Sequence, residues 1–139
     1  MAVARSRFYE ISDYVNAGTE NFCYWNMVLN ETRESGWDWR QNSLIVIDRK
    51  AGVIEYQPDY LPMVLISSFI RPGDQSVKTT SKSRTVAVTN DKKTTVFLQN
   101  DRKKEWIVTL TVGHRKETVR LKPQSLSALI LESPAEATL

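Results

Sequence analysis

The residues best suited to chemistry in this 139-residue chain lie in one stretch, residues 22–48. Three of the four tryptophans occur there together with several asparagines: Trp25, Trp37, Trp39, Asn26, Asn30 and Asn42. The C–H face of a sugar ring packs on a flat aromatic side chain, while its hydroxyl groups need directional partners such as amides. The stretch therefore suggests a sugar-binding loop, held by the apolar runs on either side of it.

Two other reactive side chains have surroundings that argue against chemistry. Cys23 is the single cysteine, so no internal disulfide can form, and its apolar neighbours predict a buried thiol. His114 lies in a Gly-His-Arg-Lys turn without a nucleophile beside it, which predicts a solvated turn residue. One histidine and one cysteine do not suffice for a zinc site. We expect no metal and no cofactor.

One helix and one strand must position the aromatic stretch. Residues 7–16 repeat apolar side chains at intervals of three and four, which predicts an amphipathic helix that ends before Gly18. Residues 20–29 form a short, nearly continuous apolar run, as a buried parallel strand would. Such a strand needs neighbours on both sides, and we expect this chain not to supply them.

A hairpin and a second helix follow. Residues 44–48 and 53–56 flank a turn that ends in Gly52, which predicts a hairpin. Asp59 is expected to cap a helix that runs to about residue 69. Pro62 falls in its first turn, where a missing N–H costs no hydrogen bond within the helix.

The periodicity then changes from helical to alternating. Short runs about ten residues apart predict strands over residues 77–81, 84–89, 94–99, 106–112, 117–121 and 126–131. This spacing is typical of an antiparallel sandwich or barrel. We therefore divide the chain into residues 1–70 and residues 71–139.

Composition separates the same two halves. Residues 1–70 contain six Lys/Arg, nine Asp/Glu and eleven of the thirteen aromatics, whereas residues 71–139 contain thirteen Lys/Arg and seven Asp/Glu. An aromatic half joined to a basic half suggests a piece of one domain attached to most of another. The basic clusters lie in turns between strands, which favours soluble hairpin tips over a nucleic-acid site.

With 41% hydrophobic and 25% charged residues, the chain is expected to be soluble and globular. No apolar run approaches the roughly 18–20 residues that span a bilayer. The first eight residues lack the apolar region of a signal peptide. The compartment is left open.

The aromatic stretch also matches a known family. Tyr-Trp-Asn-Met-Val-Leu-Asn-Glu (residues 24–31) and Ser-Gly-Trp-Asp-Trp-Arg-Gln-Asn-Ser-Leu-Ile (residues 35–45) resemble the last barrel strand and following loop of glycoside hydrolase family 30, the glucosylceramidase-type enzymes. The match continues at residues 56–60 and 69–73. The resemblance implies a mixed α/β remnant of a (β/α)8 barrel C-terminus followed by an antiparallel all-β sandwich, over roughly residues 5–132.

The resemblance also implies roles for individual residues. Trp25 would be the aromatic floor beneath the glucosyl ring, and Asn42 would present an amide to the substrate. Trp39 and Asn26 would shape the loop or touch the sugar. From the residues alone, Trp25 could instead be a core tryptophan, and Asn42 could satisfy backbone groups of the loop. Asp38 stands where the family is expected to have glycine.

No carboxylate in the chain matches the two catalytic glutamates of the family, which lie at earlier barrel strands. Retaining glycosidases need two carboxyl groups about 5–5.5 Å apart. Glu31 and Glu34 lie in the polar loop and are interpreted as solvated charges. The complete enzyme would hydrolyse β-glucosides or glycosphingolipids such as glucosylceramide, whereas this chain alone would be inactive. We also expect no nucleic-acid partner, and self-association through the uncovered strand.

A second hypothesis is a non-catalytic carbohydrate- or protein-binding β-sandwich module, with residues 1–70 as an accessory arm. Binding of a glycan or a protein without turnover would support it.

Overall fold

A computed structural model describes residues 2–34, 36–80 and 85–132, and the chain divides into two units, residues 1–68 and 69–139. The described residues of the first unit form α1 (Ala2–Asn16), β1 (Val28–Asn30), β2 (Ile45–Asp48), β3 (Val53–Tyr56) and nearly all of α2 (Tyr60–Phe69). Those of the second form β4 (Gln75–Val77), β5 (Thr85–Thr89), β6 (Lys93–Asn100), β7 (Trp106–Val112), β8 (Arg115–Leu121) and β9 (Ser125–Glu132). Neither described helix is long and apolar enough to cross a membrane.

Helix α1 begins earlier than predicted, at Ala2, and ends at Asn16 as predicted. Its apolar face buries Phe8 and Ile11, which are 0% and 2% exposed. After the helix, Gly18 adopts a positive φ of 91°, and its N–H bonds to the carbonyl of Val15 at 3.0 Å. Glycine reaches this conformation without a steric penalty, which explains why the helix stops here.

The buried strand predicted at residues 20–29 is wrong in both extent and burial. Regular pairing is limited to β1, which runs parallel to β2. Trp25 and Met27 are 71% and 67% exposed, and Cys23 is exposed as well, so the prediction of a buried thiol is also wrong. Within the part of the chain that the structure describes, the backbone of residues 21–25 makes no hydrogen bond, because no strand lies beside it. A parallel neighbour is supplied after all, with regular strand pairing from Val28 onward.

The hairpin predicted after the aromatic stretch is confirmed. Strands β2 and β3 pair antiparallel over Ile45–Asp48 and Val53–Tyr56. In the turn, Asp48 Oδ1 accepts the N–H groups of Lys50 and Ala51, both at 2.9 Å. Gly52 follows with a φ of 67°. The turn residues thus set the register of β2 against β3.

Helix α2 forms where predicted, but Asp59 does not cap it. The residue is 3% exposed, and its Oδ2 accepts hydrogen bonds from Tyr24 Oη (2.8 Å) and from Arg7 Nε and Nη2 (3.2 and 3.1 Å). Its Oδ1 has no partner among the described residues. The carboxylate is thus bonded to a guanidinium and a phenol rather than to the helix N–H groups. Asp59 therefore joins α1, the segment around Tyr24 and the start of α2.

The second unit is an antiparallel sandwich, as the alternating pattern predicts. One sheet has the order β4-β5-β6-β9 and the other is the β7–β8 hairpin. Their inner faces share a core around Ala87, Val96, Leu98 and Leu121. The predicted strands from residue 94 onward match the observed ones to within two residues at each end. The first prediction, residues 77–81, is displaced, since β4 ends at Val77; Ser81 and Arg84 lie outside the described residues.

A buried amide holds the basic turn between β6 and β7. Asn100 is 1% exposed, and its Nδ2 donates to the carbonyls of Lys104, Leu121 and Lys122 at 2.9, 3.2 and 2.8 Å. Its Oδ1 accepts the Arg102 N–H at 3.1 Å. The Arg102 guanidinium lies 4.6 Å from the ring centre of Trp106. Part of the positive charge of this unit therefore has a structural role.

Candidate functional site

The loop between β1 and β2 is clamped at its base. The N–H groups of Leu44 and Ile45 bond to the carbonyls of Asn26 and Met27 at 3.1 and 3.0 Å, and the Asn26 N–H bonds to the Asn42 carbonyl at 3.3 Å. These bonds extend the parallel pairing of β1 and β2 toward the N-terminus as far as Asn26. The peptide bond between Trp25 and Asn26 is cis. The two ends of the loop are therefore held side by side.

The side chain of Asn30 shapes the loop by accepting hydrogen bonds from backbone N–H groups. Its Oδ1 accepts the N–H groups of Thr32 and Arg33, both at 3.2 Å, and the Thr32 hydroxyl at 2.9 Å. Arg33 has a positive φ of 57°, and its carbonyl accepts the Gln41 N–H at 2.8 Å. This Asx-type turn reverses the direction of the chain. The hydrogen bond from Gln41 to Arg33 then holds Gln41 near the base of the loop.

Two exposed tryptophans stack at the outer part of the loop. The ring centres of Trp37 and Trp39 are 5.7 Å apart, with an interplanar angle of 20°, and the residues are 63% and 56% exposed. Asp38 lies between them with a positive φ of 58°. Aspartate tolerates this left-handed conformation better than most residues, so it can occupy the position at which the family was expected to have glycine.

Trp25, Asn26 and Gln41 form a hydrogen-bonded cluster at the base of the loop. Gln41 Oε1 accepts the Trp25 indole N–H at 3.3 Å and the Asn26 side-chain N–H at 2.5 Å. Trp25 keeps 71% of its surface exposed, so the interpretation as a core tryptophan does not hold in this structure. The cluster presents an aromatic face with two amides at its edge.

The candidate residues from the sequence are not all brought to one place. Trp25 and Asn26 meet directly, and Asn42 meets Asn26 through its backbone carbonyl; the side chain of Asn42 is exposed and caps nothing among the described residues. Trp39 instead contacts Trp37. Gln41 was missed by the sequence argument. An amide within a stretch of tryptophans and asparagines was the available signal, but its partners are set by a tertiary contact.

The interpretation of Glu31 as a solvated charge is wrong. Its two carboxylate oxygens accept hydrogen bonds from Arg49 Nη2 and Nε at 3.0 and 3.1 Å, and its side chain is 14% exposed. The hydrogen bonds from the Arg49 side chain, followed by those from backbone N–H groups, lower the pKa of Glu31 to about 2. A carboxyl group that stays ionised to such low pH cannot serve as a general acid near neutrality.

A cleft of about 450 Å³ lies between α1 and residues 19–25. Arg7 and Glu10 form an ion pair on its helical side, and Tyr24 lies on the other. The Arg7 guanidinium lies 4.6 Å from the centre of the Tyr24 ring. Burial, and then the hydrogen bond that Tyr24 donates to Asp59, raise the pKa of the phenol to about 12. Within the described residues, no group of His, Cys, Asp and Glu side chains is arranged to hold a metal ion.

Comparison with known proteins gives a likeness of fold. No family model matches the chain, and no curated protein matches it. Among solved structures, it is similar to SrfJ from Salmonella typhimurium, with a TM-score of 0.67 and 16% identity over 93% of this chain and 31% of SrfJ. It is also similar to the endo-β1,6-glucanase BT3312, with a TM-score of 0.66 and 23% identity over 88% of this chain and 30% of the glucanase. The chain spans about a third of the length of these proteins.

Proposed function

We propose that this chain is the C-terminal portion of a glucosylceramidase-like retaining β-glycosidase, in which it supplies sugar contacts and neither catalytic glutamate. The observation that carries the proposal is the exposed Trp25 indole held beside the Asn26 and Gln41 amides. This cluster lies where residues 21–27 lead into the parallel strand β1. By the resemblance, residues 22–25 would be the end of the last barrel strand, and in (β/α)8 enzymes the C-terminal ends of the barrel strands carry the active site.

Three further observations support the proposal. The residues around the cluster resemble the glucosylceramidase-type family from Tyr24 to Gly73. The fold is similar to that of an endo-β1,6-glucanase over 88% of this chain. A helix followed by a strand in parallel pairing, and then a β-sandwich, is the order that the end of such an enzyme requires.

The chain would contribute binding rather than bond cleavage. Trp25 would pack against the C–H face of the glucosyl ring, and amide groups of Asn26 and Asn42 would bond to its hydroxyls. Hydrolysis with retention needs a nucleophile and a separate acid/base carboxyl group. The pairing of Glu31 with Arg49 supports the proposal that the catalytic pair is supplied by other polypeptide.

The proposal can be tested by titrating the full chain with methyl β-D-glucoside and following the indole N–H resonances. We expect the Trp25 resonance to move saturably in the millimolar range, while that of Trp106, in the sandwich, stays in place. Mannitol serves as the polyol control. The absence of a saturable change at Trp25 would contradict the proposed sugar contact.

A parallel assay with an aryl β-glucoside addresses catalysis. We expect no turnover by the isolated chain. Turnover that copurifies with the protein and is abolished by Glu31→Gln or Glu34→Gln would show that the catalytic pair is present here after all.

The stacked Trp37–Trp39 pair favours a second candidate function, a non-catalytic carbohydrate-binding module. Such a module would hold a glycan on exposed indole faces without help from a barrel. In that case glucoside binding would depend on Trp37 rather than on Trp25. Comparing Trp37→Ala with Trp25→Ala in the titration separates the two candidates.

A further inference from the structure

We propose that Gln41 is a sugar-contacting residue that also positions Trp25 and Asn26, so that these three side chains act as one recognition unit for adjacent hydroxyl groups of a pyranose. The ligand in this inference rests on the proposed function. The arrangement of the three side chains does not depend on it.

The first step is the orientation of the Gln41 amide. The indole N–H of Trp25 can only donate a hydrogen bond. Its nitrogen lies 3.3 Å from the terminal amide of Gln41, so the Gln41 atom that faces it must be the carbonyl oxygen. The Gln41 Nε2 group must then point away from the indole.

The second step is the orientation of the Asn26 amide. The same Gln41 oxygen lies 2.5 Å from the Asn26 amide, which must therefore turn its Nδ2 toward Gln41. The backbone holds both residues in place: the Asn26 N–H bonds to the Asn42 carbonyl at 3.3 Å, and the Gln41 N–H bonds to the Arg33 carbonyl at 2.8 Å. A single donor-only indole thus determines the direction of two amides.

The third step concerns the atoms of the two amides that do not take part in these hydrogen bonds. Gln41 Nε2 has two N–H donors and Asn26 Oδ1 is an acceptor, and neither has a protein partner among the described residues. The Gln41 carbonyl oxygen that joins the two amides contacts the indole nitrogen of Trp25, whose side chain is 71% exposed. Each sugar hydroxyl can donate and accept, so a fixed donor beside a fixed acceptor suits a pair of adjacent hydroxyls on a ring that packs against Trp25.

Two variants of Gln41 separate its two roles. Gln41→Met has a similar length but removes the acceptor, so the Trp25 indole N–H resonance should move upfield, and binding of methyl β-D-glucoside should weaken by about tenfold or more. Gln41→Glu keeps an acceptor for the indole but removes the donor. Its indole resonance should stay close to the wild-type position, while glucoside binding weakens by about fivefold, as expected for one lost hydrogen bond. Gln75→Met in β4, an exposed glutamine, is the matched control and should change neither measurement.

The outcomes distinguish this inference from the proposed function. If wild-type protein binds the glucoside and Gln41→Glu binds it equally well, the role of Gln41 as a donor is overturned. If Gln41→Met leaves the Trp25 indole resonance unchanged, its positioning role is overturned, whether or not sugar binds. If wild-type protein binds no glucoside, the proposed function fails and the ligand assigned to this unit fails with it. The indole measurement still decides whether Gln41 positions Trp25.

Discussion

At the scale of single residues, the site is defined by side chains that are unexpectedly exposed or unexpectedly paired. Trp25 leaves most of its ring in solvent although it follows an apolar run, and Glu31 is paired with Arg49 although it lies in a polar loop. The clamp at Asn26 and Asn42 holds the loop ends side by side. Each departure leads to a measurable expectation.

Replacing Trp25 by alanine should weaken binding of methyl β-D-glucoside by about tenfold or more. The removed aromatic contact is worth on the order of 1–3 kcal/mol, by analogy with stacked rings. Lys103→Ala, in the turn after β6, should leave the dissociation constant within about twofold. Dissociation constants from the indole titration provide the comparison. Equal effects of the two substitutions would place the sugar site elsewhere.

Glu31 should titrate with a pKa of about 2, below its ordinary value of 4.5. A carboxyl group whose pKa is lowered in the folded state contributes stability above its unfolded pKa, and the contribution is lost as the pH falls from about 4.5 toward 2. Arg49→Met should return the pKa toward the ordinary value, because the hydrogen bonds from Arg49 are the main cause of the shift. Lys50→Met, the adjacent residue, is the control. Carboxyl chemical shifts followed against pH provide the measurement.

At the scale of elements, one buried carboxylate links three segments of the first unit. Asp59 gathers Arg7 from α1 and Tyr24 from the segment before β1 at the start of α2. Among the described side chains of the helices, Phe8, Ile11, Ser12 and Pro62 are almost completely buried. The hydrogen bonds of Asp59 to Arg7 and Tyr24 therefore help to set how α1 packs against the segment that carries Trp25.

Asp59→Ala should destabilise the first unit by about 2–3 kcal/mol, because it removes charge-assisted hydrogen bonds and leaves Arg7 and Tyr24 without their partner. Arg120→Ala breaks an exposed pair with Glu105 (2.9 Å) and should cost less than about 1 kcal/mol. Urea unfolding followed by tryptophan fluorescence compares the two variants. The idea fails if both curves shift equally.

The elements with a strong local pattern could be predicted from the sequence. Alternation and turn residues predicted the sandwich strands from residue 94 onward, and Gly52 with its turn predicted the β2–β3 hairpin. The strand at residues 20–29 was misjudged because its burial depends on neighbours rather than on its own residues. The roles of Asp59 and Gln41 could not be predicted, because their partners come from distant parts of the chain.

At the scale of the whole molecule, the two units contain segments that differ in how many of their backbone groups form hydrogen bonds. Strands β5 and β6 are central in their sheet and hold Val86, Val96 and Phe97 at 0–4% exposure. Residues 21–25, in contrast, have no backbone hydrogen bonds within the described part of the chain. Local stability should follow this difference.

Hydrogen exchange should therefore be slow in residues 86–112 and fast in residues 21–25 of the isolated chain. Amide exchange followed by mass spectrometry or NMR tests this in dilute solution. A shared, intermediate rate across both segments would argue against the difference. Strong protection of residues 22–25 in a monomer would mean that this segment is covered in another way, and the interpretation as a portion of a larger barrel would have to be abandoned.

The strand order of the second unit also has a consequence for synthesis. β6 pairs with β5 immediately, but its other partner, β9, is made only after the β7–β8 hairpin. A growing chain must therefore keep one edge of β6 open while the hairpin emerges, and that edge can be closed only when residues 125–132 have left the ribosome. During this interval we expect the incomplete sandwich to bind chaperones, because an unpaired strand edge is exposed. Pauses in translation between β6 and β9 should therefore increase misfolding more than pauses at any earlier point in this unit.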